Sequence, residues 1–188
     1  MKQLNIYICG VGGQGIGLLS EILLRGADYA GVEAKAVDTH GLAQRGGIVI
    51  SHLRLGKNIF SPMIPEREAD LVIALERHEA LRGMDYALKD GGTLIYYNTV
   101  LQPLGVRLGQ ENELTKVQLQ NACKARGISC IMVEHPDLAD PRMQNIAVLS
   151  RLNLERLIPE ISQEHLLRAL EDLVEGKVLE KNRALLIA

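Results

Sequence analysis

A short apolar run that ends in a cluster of glycines and passes directly into an amphipathic helix pattern leaves a chain few folds to choose from. Residues 6–24 read IYICGVGGQGIGLLSEILL, with Gly10, Gly12 and Gly15 satisfying G-x-G-x-x-G and Gly13 and Gln14 in the free positions. In a turn of this kind the first glycine lets the strand fold back. The second lets another backbone or a phosphate come close, and the third lets helix and sheet pack tightly. The helix N-terminus behind it exposes unpaired N–H groups and a partial positive charge, which favours an anion.

Taken in order, residues 4–9 read as a buried strand. The next helix has an apolar face at Leu19, Ile22, Leu23, Ala27 and Ala30, and Gly31 stands where a C-cap belongs. Residues 33–38 form the second strand, completing a right-handed βαβ unit. Residues 39–47 leave no room for a helix before the alternating run 48–55 (IVISHLRL). A strand reached without a crossover helix runs antiparallel to its predecessor, so an antiparallel pair or an edge strand is expected, with a charged face at His52 and Arg54.

After a proline-bearing loop the alternation of strand and helix resumes. Strands are expected at 70–75, 93–97 and 128–133, and helices at 76–89, 114–126 and 145–158. A last helix, 163–175, is capped by Ser162, with Ile161 and Leu166 as a hydrophobic staple, and closed by Gly176. Residues 145–158 are apolar on most sides, and the apolar terminus ALLIA also needs cover. With no internal repeat or linker, the expected fold is one doubly wound, Rossmann-like α/β domain spanning 1–188. Its sheet is mainly parallel, with an antiparallel strand near 48–55 and extra C-terminal helices.

Composition narrows the chemistry. The 188 residues carry 21 basic and 23 acidic side chains, a formal net charge of −2 that gives no field for nucleic acid or an anionic membrane. Three cysteines, Cys9, Cys123 and Cys130, have neither zinc nor iron–sulfur spacing. They read as reduced thiols of a cytoplasmic protein, and no signal-peptide pattern or membrane-length apolar run argues otherwise. The five histidines are scattered, so no metal site is expected. Arg77 and His78, opening a helix, are expected to be solvated. Phosphate-loop and nucleophile-elbow motifs are missing, and no catalytic residue is assigned.

Two readings of the glycine turn compete. Asp38 ends the second strand 23 residues after Gly15, where a ribose-binding acid of an NAD(P)-dependent oxidoreductase is expected. Gly10, Gly12, Gly13, Gln14, Gly15 and Asp38 are then the candidate cofactor-binding residues. Alternatively the turn serves packing or the docking of another backbone. The segment 38–54 (DTHGLAQRGGIVISHLR) favours a protein interface, because Gln44 and Arg45 can offer a fork of donors beside Gly46 and Gly47. Gln44, Arg45, Gly46, Gly47, His52 and Arg54 are the interface candidates.

Together, GVGGQGIGLLSEIL and THGLAQRGGIVISHLRLG resemble the gamma domain of 2-oxoacid:ferredoxin oxidoreductases, with particular likeness to the small, beta-type subunits of the indolepyruvate enzymes. SPMIPEREADLVIALERHEALR, Asn145 opening a long helix and the pair Lys181-Asn182 extend the resemblance over nearly the whole chain. The resemblance implies oxidative decarboxylation of a 2-oxoacid to an acyl-coenzyme A with electrons passed to ferredoxin. It places thiamine diphosphate, magnesium and [4Fe-4S] clusters in a large partner subunit, with coenzyme A as a substrate of the complex. This chain is then expected to bind no cofactor alone and to be inactive alone; separately, the C-terminal apolar residues and the 39–55 face offer surfaces for pairing with a second copy when the partner is missing.

Overall fold

The computed structural model describes residues 3–39, 47–101, 104–110, 112–138 and 140–187. The elements run β1 (Leu4–Val11), α1 (Ile16–Tyr29), β2 (Ala34–Thr39), β3 (Ile48–Leu55), β4 (Ala69–Ala74), α2 (Arg77–Tyr86) and β5 (Leu88–Tyr97). They continue with α3 (Leu104–Arg107), α4 (Lys116–Ala125), β6 (Ser129–Val133), a 3₁₀ turn at Pro141–Met143, α5 (Gln144–Leu154), α6 (Gln163–Leu173) and α7 (Gly176–Ile187). The sheet has six strands in the order β2-β3-β1-β4-β5-β6. Strands β1, β4, β5 and β6 pair in parallel, while β3 is antiparallel to both β1 and β2.

The alternation along each strand divides the apolar residues between two layers. Ile6, Ile8, Leu53, Ile73 and Ile95 face α1, α5 and α6, where Leu19, Ile22, Leu23, Ile146, Leu149 and Leu166 complete a buried core. Tyr7, Cys9, Val72, Leu94 and Tyr96 face α2 and α4, against Ala80, Met84, Leu119 and Cys123. Each fully buried Leu or Ile is worth about 1.5–3 kcal/mol, so the two layers dominate the stability. At the end of α1, Gly31 takes φ +67°, Val32 N–H reaches Ala27 O (2.9 Å) and Gly31 N–H reaches Asp28 O (2.9 Å). That is the double bond of a Schellman stop, which a Cβ at residue 31 would strain.

The C-terminal segment closes the first layer. Ser162 Oγ accepts from His165 N–H, while His165 Nδ1 accepts from Ser162 N–H, and Ile161 and Leu166 are both buried. Helix α6 stops at Leu173, and Gly176 opens α7 rather than simply closing its predecessor. The apolar terminus is the last turn of α7, with Leu186 buried under α6.

One expectation is corrected here. Strand β3 is antiparallel, but it is not an edge strand, and its outer face is not a charged one. Strand β3 pairs with β2 on one side, and on the other it fills the place next to β1 that the α1 crossover leaves vacant. His52 is only 3% exposed. The Tyr7 ring meets it edge to face at 5.1 Å, and Ile64 N–H donates to its Nδ1 (3.1 Å). Burial lowers its pKa from the ordinary histidine value, so the fold holds the neutral ring.

That burial gives a pH dependence of definite sign. A depressed base contributes its full stability above its unfolded pKa of about 6.5 and loses it as pH falls through the folded value. Urea unfolding at pH 7.5 and 5.5 is expected to show a loss in the wild type that is reduced in His52→Gln, whose amide oxygen can still accept from Ile64. Identical pH profiles would contradict a buried neutral His52.

Candidate functional site

The glycine turn lies between the C-terminal ends of β1 and β4, from which α1 and α2 leave toward opposite faces of the sheet. This divergence is the usual ligand crevice of an open α/β sheet. Here the crevice holds a side chain of the turn itself. Gln14 is 2% exposed, its Oε1 accepts from Val11 N–H (2.7 Å), and its Nε2 donates to Leu75 O (2.6 Å). Leu75 N–H in turn donates to Cys9 O (3.0 Å), so Gln14 continues the β1–β4 ladder past its last strand residue.

The glycines make room for this arrangement. A Cβ on Gly10 would stand 2.8 Å from both Gln14 Oε1 and Ile16 Cδ1. Gly15 sits at φ +79°, where a Cβ would stand 2.4 Å from Asn145 Nδ2, and that amide donates to Gly15 O (3.2 Å). The third glycine therefore admits a side chain from α5 rather than the sheet. Gly13, at φ +101°, has nothing within 4 Å of its Cβ direction and is a glycine for conformation alone. Gly12 N–H donates to Gly47 O (2.8 Å), which joins the turn to the end of the 40–47 connection.

The outer side of the turn is open. Helix α1 starts with no side-chain cap and borders a cleft of about 400 Å³ lined by Gly13, Gly15, Arg142, Asn145, Lys181 and Asn182, among others. Arg142 forks onto Asp140 at 2.6 and 3.1 Å, and that hydrogen-bonded pairing holds the Asp140 carboxyl down at about 2. Asn182 is 5% exposed and its Oδ1 has no hydrogen-bond partner. A helix N-terminus with Arg142 and Lys181 beside it suits an anionic group.

Asp38 does not play the part of a ribose-binding acid. With β3 inserted, β2 stands one strand farther from β1, about 4.8 Å more than in a sheet where the two are neighbours. Ser51 Oγ donates to Asp38 Oδ1, and Ser20 Oγ lies 3.2 Å from the same oxygen and 2.7 Å from Ser51 Oγ. The carboxylate thus ties α1, β2 and β3 together. The free-standing dinucleotide-binding reading loses both its crevice, filled by Gln14, and its acid.

Of the interface candidates, Gln44, Arg45 and Gly46 lie outside the described residues, and Gly47 is held against Gly12. His52 is buried. Arg54 Nε donates to Asn5 Oδ1 (2.9 Å) and its Nη1 to Ser61 O (3.0 Å) and Met63 O (3.3 Å). It braces the loop that presents Phe60, 91% exposed.

Arg77 and His78 are also corrected, because the chain after β5 folds over them. Arg77 is 9% exposed and donates to Asn98 Oδ1 (2.7 and 3.0 Å) and Leu114 O (2.8 Å). His78 Nε2 accepts from Leu114 N–H (3.1 Å), which places the ring proton on Nδ1, 3.0 Å from buried Glu76. Glu76 itself caps α2 by accepting from Glu79 N–H (2.9 Å). The sequence places Glu76 inside the helix, whereas it stands before Arg77 as the cap, and nothing local points to the partners Asn98 and Leu114. Among the described residues no group of three His, Cys, Asp or Glu could hold a metal ion. The three cysteines, one on β1 and two at α4 and β6, do not fit an iron–sulfur cluster.

The two strained glycines give a direct test. Gly13→Ala is expected to cost only its backbone conformation, about 1–3 kcal/mol. Gly15→Ala is expected to cost at least about 1 kcal/mol more, because Asn145 must also withdraw. Equal losses in urea unfolding would show that the α5 contact does not shape the turn.

Residues 5–188 match the family described as pyruvate ferredoxin/flavodoxin oxidoreductase. Indolepyruvate oxidoreductase subunit IorB of Thermococcus kodakarensis is 39% identical over 109 residues, 58% of this chain and 54% of that relative. The protein of the same description from Archaeoglobus fulgidus is 47% identical over 97 residues, 52% of this chain and 47% of the relative. The matched region thus spans about half the length of these relatives. Among solved structures, the gamma subunit of a keto/oxoacid ferredoxin oxidoreductase from Geobacter sulfurreducens is similar over 100% of this chain and 94% of its own, with TM-score 0.66 at 20% identity. A 2-oxoglutarate:ferredoxin oxidoreductase from Magnetococcus marinus is similar over 100% of this chain and 30% of its own, with TM-score 0.72 at 20% identity. Those two likenesses are of fold. The match over 5–188 settles the family: the chain belongs to the pyruvate ferredoxin/flavodoxin oxidoreductase family.

Proposed function

We propose that residues 1–188 form one gamma-type domain that acts as the small subunit of a cytoplasmic 2-oxoacid:ferredoxin oxidoreductase of the indolepyruvate type. One observation carries the reading: the Gly12 N–H···O Gly47 bond brings the glycine turn and the end of the A-Q-R-G-G motif together at one end of the strands β1 and β3. The turn and Gly47 thereby lie side by side, which supports a docking face that both motifs share. The relatives' description as an indolepyruvate oxidoreductase subunit supports the choice of type.

In this reading the larger subunit supplies thiamine diphosphate with magnesium and the iron–sulfur clusters, and ferredoxin receives the electrons. The residues of this chain serve two ends. Gln14 and Asn145 fix the turn from inside and from the helical layer, so the face offered to the partner is already ordered. The uncapped start of α1, with Gly13, Gly15, Arg142 and Lys181 around the cleft, suits a phosphate group. Coenzyme A is the phosphate-bearing substrate of the reaction, and these residues would face it.

Coexpression with the large subunit tests the assignment. The pair, loaded with clusters and thiamine diphosphate, is expected to reduce a viologen dye with indolepyruvate or phenylpyruvate and coenzyme A, while the isolated chain does not. A correctly loaded pair without activity on any 2-oxoacid would contradict it. In an active pair, Lys181→Ala is expected to raise the KM for coenzyme A at least tenfold and leave that for the 2-oxoacid within twofold. An unchanged coenzyme A KM would remove the cleft from the reading.

A further inference from the structure

The cleft beside the start of α1 contains one group that an anion does not explain. Asn182 is buried and lines the cleft, yet among the described residues its Oδ1 has no hydrogen-bond partner. Val178, Lys181 and Asn182 stand three and four apart on α7, so one helix face brings all three to the same opening. Leu18 of α1 and Met143, at the end of the 3₁₀ turn, add further apolar surface. The lining is therefore of two kinds. Lys181 and the Asp140-bound Arg142 bring positive charge to the helix N-terminus, while Leu18, Met143 and Val178 offer aliphatic and thioether surface.

An amide oxygen only accepts, and an ionised phosphate has no hydrogen to give it. The cations and the orphaned acceptor therefore suit different parts of one ligand, and the second part must carry an N–H or O–H. A purine amino group and an alkyl amide both qualify. Among the described residues, however, no aromatic side chain lines the cleft for a base to stack on. Aliphatic walls with a single amide acceptor match a run of methylenes interrupted by an amide N–H. We propose that the cleft takes a phosphate ester of an amide-bearing aliphatic arm, with Asn182 Oδ1 accepting from the arm's N–H. The inference rests on the coenzyme A reading of the cleft and assigns it the phosphopantetheine end of that substrate rather than the adenosine end. Asn182 is then the residue that separates this ester from other phosphates, a choice that the charges alone do not make. Its unpaired burial is a defect that the bound arm corrects.

The test is a ¹⁵N NMR titration of the full-length chain with phosphopantetheine, adenosine 3′,5′-bisphosphate and inorganic phosphate. Phosphopantetheine is expected to shift the Asn182 side-chain amide saturably, with a Kd at least about tenfold below that of the bisphosphate. Asn182→Leu, which keeps the bulk and removes the acceptor, is expected to weaken phosphopantetheine at least about fivefold and to leave inorganic phosphate within about twofold. A bisphosphate that binds more tightly and shifts Asn182 would put the nucleotide end in the cleft. That result would overturn the assignment and leave the coenzyme A reading standing. An Asn182→Leu chain that binds phosphopantetheine like the wild type would overturn it too. No saturable shift with any of the three would overturn the coenzyme A reading of the cleft as well. The wild-type comparison of the two esters decides the matter even if the variant fails to fold.

Discussion

The two hydrogen bonds of the Gln14 side chain are what the rest of this structure is arranged around. One satisfies Val11 N–H at the end of β1 and the other Leu75 O at the end of β4, so a single amide bridges the two strands where their crossovers part. Buried polar groups of this kind stabilise when paired and are costly when one partner is lost, by about 1–3 kcal/mol. The glycines on either side follow from it. Gly10 has no Cβ because Gln14 Oε1 occupies that space, and Gly15 has none because Asn145 reaches in from α5. A motif shared with dinucleotide folds is thereby spent on internal closure, and only its outer side, at the start of α1, faces a cleft.

Much of this was legible in the residues. The strand–glycine–helix signal, the stop at Gly31, the Ser162 cap with its staple and the antiparallel run at 48–55 are local patterns, and local patterns survive into the fold. Sheet order is not local. Nothing in IVISHLRL shows that it pairs with β1 as well as β2, yet that insertion displaces Asp38 and turns it toward Ser20 and Ser51. The same blindness to distant partners explains His52, Arg77 and His78. Each reads as a polar residue on an exposed surface until its distant partner is seen, Ile64 for His52, and Asn98 and Leu114 for the other two. Gln14 was visible as a residue of the motif, but a sequence does not tell which way a side chain in a turn will point.

Function follows from where polar groups are used up and where they are left over. On the inner side of the turn every strong donor and acceptor discussed here has found a partner within the chain. On the outer side the α1 N-terminus has no side-chain cap, Lys181 stands exposed, and Asn182 Oδ1 has no partner. A domain closed within and unfinished at one edge suits a subunit whose chemistry is completed by a neighbour, the part proposed for this member of the family.

The Gln14 side-chain amide can be watched directly by ¹⁵N NMR in the isolated chain. A plugged crevice predicts amide protons that exchange slowly with solvent and do not shift when NAD or NADP is added in excess. Rapid exchange together with a saturable shift on adding the dinucleotide would mean that the crevice opens to a ligand, and would contradict the closure on which the fold and the proposed role both rest.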